Sequence, residues 1–181
     1  MTTFVDKIEL VDSALSTVPH AFGGALALAY HVESPRATAD IDLNIALPVG
    51  QARDVLTALP AGVGWTDDDV TAIERDGQVR VLWDRTPLDL FFPQDALHDV
   101  VASRVLQVPF RGRTIPIISA TDLTIFKTLF DRPKDWVDIA EMLEYGSVDA
   151  AEALGWVSRL LGRKDRRTQR LSALLVGPDR R

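Results

Sequence analysis

Residues 22–43 read FGGALALAYHVESPRATADIDL, and this stretch carries most of the fold and the chemistry. It opens on a glycine pair, Gly23 and Gly24, ahead of an Ala/Leu run of high helix propensity that Pro35 stops. It closes in ADIDLNIAL, residues 39–47, where Ile41, Leu43, Ile45 and Leu47 alternate with polar or small residues, the period of a strand. Asp40 and Asp42 stand two apart at the start of that strand, so both carboxylates project from one face. Two anions held that close repel unless a positive charge stands between them. A divalent cation is the usual answer, and hard oxygen ligands suit Mg²⁺ or Mn²⁺. Glycine, lacking Cβ, lets a phosphate approach the backbone, and free N–H groups at a helix start stabilise anions.

Working outward, residues 3–17 space Phe4, Ile8, Val11 and Leu15 as a helix. Residues 50–59 form a short amphipathic helix. GQVRVLW (77–83) and PLDLFF (87–92) read as two strands joined by a turn over Asp84-Arg85-Thr86-Pro87. Residues 101–118 suggest a further strand pair around Arg111-Gly112-Arg113. Ser119 with Asp122 resembles a helix N-cap before LTIFKTLF. Pro133 breaks that helix, a second runs to Gly146, and about 149–175 is helical. The expected architecture is α+β: one domain over 1–181, with a small mixed sheet core to about residue 118 and a helical part from 119.

Asp89 falls inside the apolar strand PLDLFF, where an unpaired acid is costly to bury. If that strand lies beside the first, Asp89 completes a three-carboxylate cluster able to hold two metals. Each element has a plainer reading. An Asp-x-Asp pair often sits on a solvated edge, and Asp89 could pair with Arg85 or Arg36. Lys127 could extend to water from the end of its helix. Asp135, Asp138 and Glu141 recur as a solvated stripe would, leaving Trp136, Ile139, Ala140 and Leu143 as the buried side.

Composition excludes several classes. Zero cysteines leave no disulfide, thiolate site or cysteine nucleophile. His20, His31 and His98 lack ligand spacing and read as structural or surface residues. No apolar run reaches the roughly 18 to 20 residues that cross a bilayer, and the N-terminus is no signal peptide, so the expected location is the cytoplasm. From Arg159 onward, eight basic residues face only Asp165 and Asp179, which leaves the preceding body strongly acidic within a net charge of −6. Such a body argues against broad nucleic-acid binding, while the tail could hold a phosphate backbone locally or simply form a solvated helix face.

Gly-Gly, a helix, Arg36-x-Thr38-x-Asp40-Ile41-Asp42 and a third acid in a later strand together resemble the DNA polymerase β-like nucleotidyltransferase superfamily. ISATDLTIFKTLFDRPKDWVDIAEML (118–143) is similar to a segment of AbiEii/MenT-like stand-alone bacterial nucleotidyltransferases. The resemblance implies that Gly23 and Gly24 cradle a triphosphate, and that Asp40, Asp42 and Asp89 bind Mg²⁺ or Mn²⁺, with Asp89 bridging to the acceptor hydroxyl. It implies further that Lys127 reaches the NTP phosphates and that Arg36 and Thr38 orient the acidic loop or touch nucleotide. Asp135 or Asp138 matches the acid that follows the family's lysine. Gly24 departs from the serine of many members, removing a hydroxyl contact to phosphate.

Three functions follow as expectations. The first is transfer of NMP from an NTP to a macromolecule, tRNA or protein, by an enzyme that is a toxin with a cognate antitoxin. The second is transfer to a small hydroxylated molecule, as antibiotic nucleotidyltransferases perform. The third is a nucleotide-binding relative without turnover.

Overall fold

The computed structural model describes residues 2–175. They divide into two compact units, residues 2–26 with 36–118, and residues 27–35 with 119–175.

The first unit is built on a seven-stranded mixed sheet in the order β3-β4-β5-β2-β1-β7-β6. The strands are β1 (His20–Phe22), β2 (Ile41–Ile45), β3 (Val63–Gly64), β4 (Gln78–Trp83), β5 (Thr86–Phe91), β6 (Leu106–Phe110) and β7 (Arg113–Ile117). The sheet is larger than the sequence alone suggests, because β1 and β3 are too short to show a period. The alternation in β2 comes out as expected: Ile41, Leu43 and Ile45 are buried, and so are Leu88 and Leu90 of the parallel neighbour β5. Asp42 and Asp89 are partners in that same register and lie on the opposite, less buried face.

Helix α1 (Phe4–Ala14) begins with a capping box between Thr3 and Asp6. Its buried Lys7 donates to the Trp83 carbonyl at 2.7 Å and to Asp84 Oδ2 and Thr86 Oγ1 at 3.1 Å, tying the helix to the β4–β5 turn. Helix α2 (Gly24–Leu28) is shorter than the run to Pro35 predicts. After Leu28, Tyr30 N–H donates to Ala27 O and His31 N–H to Leu28 O, a tightened three-residue spacing that ends the α-helix early. After α3 (Ala52–Ala58), α4 (Asp67–Asp76) has only Val70 and Ile73 as buried residues, too sparse a stripe to reveal a helix by period. What starts it is the Thr66/Asp69 capping box with three acids in the first turn, and Gly77 closes it at φ 67°. Helix α5 (Ala96–Ser103), capped by Asp95, takes residues 101–103 that the strand-pair reading had claimed.

The second unit holds α6 (Ala120–Phe130), α7 (Pro133–Tyr145), α8 (Ala150–Leu161) and α9 (Arg166–Leu175). Ser119 caps α6 by accepting from Asp122 N–H, and Pro133 stands at the first position of α7. The stretch 149–175 is helical as expected, in two helices parted at Gly162, whose φ of 86° an L side chain rarely adopts. Trp136, Ile139 and Leu143 are buried as expected, together with Met142, Val157 and Leu171, while Ala140 is exposed. Among the described residues no helix is long and apolar enough to cross a membrane.

Candidate active site

The first unit brings the glycine pair and the three acids onto one patch of sheet. β1 pairs antiparallel with β2, with Phe22 opposite Leu43, and Gly23 N–H donates to the Asp42 carbonyl at 2.9 Å. The turn therefore lies directly on the acidic strand. Gly24 has φ 49°, and a Cβ built there would stand 1.8 Å from Asp42 Oδ2. A side chain has no room at this position, because the space it needs is filled by the Asp42 carboxylate. Gly24→Ala is expected to lower stability by at least about 1 kcal/mol through backbone strain alone, and to displace Asp42. Urea midpoints read the first effect and nucleotide binding the second; a wild-type midpoint would show that the turn relaxes freely.

Asp40 precedes β2. Thr38 Oγ1 accepts from Asp40 N–H at 3.2 Å and donates to Asp40 O at 3.3 Å, so the Thr38 hydroxyl braces the acidic loop. Asp42 and Asp89 sit side by side across β2 and β5.

The sequence reading overlooked a fourth group. Arg80 on β4 pairs with Asp89 on β5, so Asp42, Asp89 and Arg80 run in register across three strands. Arg80 Nε and Nη2 donate to the two Asp89 oxygens at 2.7 and 2.6 Å, and Nη2 lies 3.7 Å from Asp40 Oδ2. The partner of Asp89 is therefore Arg80, rather than the Arg85 or Arg36 weighed from sequence. Asp89, and then Asp40 and Asp42, hold the Arg80 guanidinium even more firmly protonated than usual. The error came from the turn. β4 and β5 are joined by only Asp84 and Arg85, with Asp84 at φ 53°, whereas a turn over 84–87 slips the register and sets Asp89 against Leu82.

The donor set fits a small divalent cation: three carboxylates on one patch offer only hard oxygen, and Mg²⁺ is usually held by one or two carboxylates plus phosphate oxygens. Among the described residues, no three acid or histidine side chains already converge as ligands. The group in contact with Asp89 and near Asp40 is the Arg80 guanidinium.

Lys127 and Asp138 belong to the second unit, where they meet each other. Lys127 is only 3% exposed, its ammonium 2.5 Å from Asp138 Oδ2 and 3.6 Å from Asp135 Oδ1. It does not extend to water, and Asp135 and Asp138 are buried rather than part of a solvated stripe, of which only Glu141 faces out. Asp135 also accepts from Arg132 Nε, Nη2 and backbone N–H. Burial pushes the Asp135 carboxyl up, but the Arg132 hydrogen bonds and the Lys127 and Arg132 charges outweigh it and leave it below the usual carboxylate range. A group whose folded value is depressed stabilises the fold above its unfolded value, near 3.8, and that contribution is lost as pH falls through the folded value. Stability of the helical unit is accordingly expected to fall as pH drops below 3.8, with Asp135→Asn flattening that acid limb. A circular-dichroism titration checks this, and an acid limb unchanged by Asp135→Asn would count against the assignment.

The basic C-terminal segment is largely engaged within the second unit. Arg166 pairs with Asp131, Arg167 pairs with Asp165 and donates to Leu129 O, and Arg170 covers the Trp136 ring at 4.3 Å. Asp179, Arg180 and Arg181, which contribute to the charge count, lie outside the described residues.

No protein-family profile and no curated protein sequence matches the chain. Solved structures do. The antibiotic-resistance factor ANT(2'')-Ia superposes with a TM-score of 0.57 at 17% identity, covering 90% of this chain and 94% of that one. An antigenic nucleotidyltransferase-like protein from Paracoccidioides brasiliensis gives 0.54 at 16% identity, covering 94% and 86%. With a mixed sheet whose neighbouring strands carry Asp42 and Asp89 beside a Gly-Gly turn, the chain has a nucleotidyltransferase-like fold.

Proposed function

We propose that the protein is a metal-dependent nucleotidyltransferase, moving the NMP of an NTP to a hydroxyl acceptor at the patch formed by Gly23, Gly24, Asp40, Asp42 and Asp89. The observation that carries this reading is the Asp42–Asp89 register with Gly24 seated against Asp42. Asp40 and Asp42, with Asp89, would hold Mg²⁺ or Mn²⁺, which when bound neutralises charge on the attacking and leaving oxygens. The chain's own contribution is placement. The glycine turn is fixed against Asp42, Thr38 fixes Asp40, and Asp89 would take the acceptor hydroxyl's proton on an oxygen that Arg80 yields. Arg36 is kept as a nucleotide contact from the resemblance. For Lys127 and Asp138 the buried pairing supports a role in the helical fold.

For the acceptor, the first reading is a macromolecule, tRNA or a protein side chain, in a toxin with a cognate antitoxin. The second is a small hydroxylated molecule. It is favoured by the likeness to an antibiotic-resistance factor and by the internal pairing of Arg166, Arg167 and Arg170, which leaves less free positive charge for an RNA backbone. Incubation with α-labelled NTPs and Mg²⁺, offered total tRNA, total protein and a panel of aminoglycosides in parallel, separates them. Label on tRNA or protein supports the first reading, and label on an aminoglycoside alone supports the second.

A further inference from the structure

Arg80 is in contact with the candidate carboxylates, and it is held there by sheet register rather than by chance of a surface side chain. An exposed ion pair usually contributes little. This one is bidentate, on a carboxylate only 15% exposed, and reaches towards a second acid at 3.7 Å. The guanidinium itself is 59% exposed, so water has access to it and it can leave without disturbing packed core. Both Asp89 oxygens are engaged by its N–H groups, which reduces the lone pairs that carboxylate offers to any other cation.

We infer that Arg80 is a resident counter-ion of the Asp40–Asp42–Asp89 set and limits how tightly that set takes a free divalent cation. The inference rests on the metal-dependent reading above. Its physical basis is charge. A unit positive charge bonded to Asp89 repels a divalent ion a few ångströms away, and the repulsion is largest where solvent screening is incomplete. In the cation's absence the same guanidinium relieves the mutual repulsion of the three acids. A metal–triphosphate complex brings its own negative charge, so Arg80 opposes it far less than it opposes the bare ion. Arg80 thereby biases the site towards a cation delivered with its nucleotide. It acts through Asp89 and the local field, as a positioning residue.

The test is Mn²⁺ titration, followed by electron paramagnetic resonance, of the full chain as wild type, Arg80→Gln, Arg80→Met, Arg80→Lys and Asp40→Asn/Asp42→Asn. Circular dichroism confirms folding of each. Arg80→Gln and Arg80→Met are expected to bind free Mn²⁺ about tenfold more tightly than wild type, with Arg80→Lys, which keeps the charge, shifted much less. Without metal, both neutral variants should melt at a lower temperature, and Mn²⁺ should recover the difference. Equal or weaker Mn²⁺ binding by either folded neutral variant overturns the inference, as does a gain in Arg80→Lys matching theirs. Failure of the underlying reading looks different: no Mn²⁺ binding by wild type or either neutral variant, or binding that survives Asp40→Asn/Asp42→Asn.

Discussion

Asp42→Asn is expected to yield a folded protein whose nucleotidyl transfer is slower by about a thousandfold or more, corresponding to roughly 4 kcal/mol of transition-state stabilisation. The amide keeps the shape of the carboxylate, so the contact with Gly24 and the strand register with Asp89 survive. What is lost is the negative charge at the centre of the patch. Asp42 adjoins Gly24 through its side chain, receives Gly23 N–H on its carbonyl and partners Asp89 across the sheet. Among the described residues no other acid has all three relations, so no described neighbour can take over. Initial rates with saturating NTP and Mg²⁺ measure the effect. A folded Asp42→Asn protein within tenfold of wild type would remove Asp42 from the chemistry.

The largest stability effect is expected in the helical unit. Lys127→Ala should cost about 3–5 kcal/mol, the range found when one partner of a buried ion pair is removed. The variant leaves the buried Asp138 without its 2.5 Å partner and takes the Lys127 charge away from the buried Asp135. Replacing both members, as Lys127→Met/Asp138→Leu, should recover a large part of the loss, because no uncompensated buried charge remains on Asp138. Urea denaturation gives both numbers. A Lys127→Ala protein of wild-type stability with weakened NTP binding would instead favour the phosphate contact implied by resemblance.

Much of this was legible in the sequence, and the reasons are local. The β2 strand and its acids could be read because Ile41, Leu43 and Ile45 alternate cleanly and have no helical alternative. Asp89 stood out as a charged residue in an apolar run, but its place beside the first acidic strand was only a condition, which the β2–β5 register meets. Arg80 was missed because it depends on register: a hairpin with two connecting residues and one with four set different partners opposite Asp89, and Asp84 in the left-handed region decides between them. Asp135 and Asp138 recur at a spacing that looks solvent-facing on a single helix and Lys127 stands near the end of its own, yet all three are buried where α6 meets α7. Helix α4 was invisible to periodicity, since Val70 and Ile73 make almost no stripe, yet its Thr66/Asp69 capping pair and Gly77 stop stood in plain view.

The central claim, nucleotidyl transfer at the Asp40–Asp42–Asp89 patch, is tested most directly by incubating the purified protein with each α-labelled NTP, Mg²⁺ or Mn²⁺, and the three acceptor classes, beside an Asp40→Ala/Asp42→Ala control. The account predicts label transferred to one acceptor class by wild type and none by the control. Transfer undiminished in the control, or no transfer and no calorimetric binding of any metal–NTP by wild type, would contradict it.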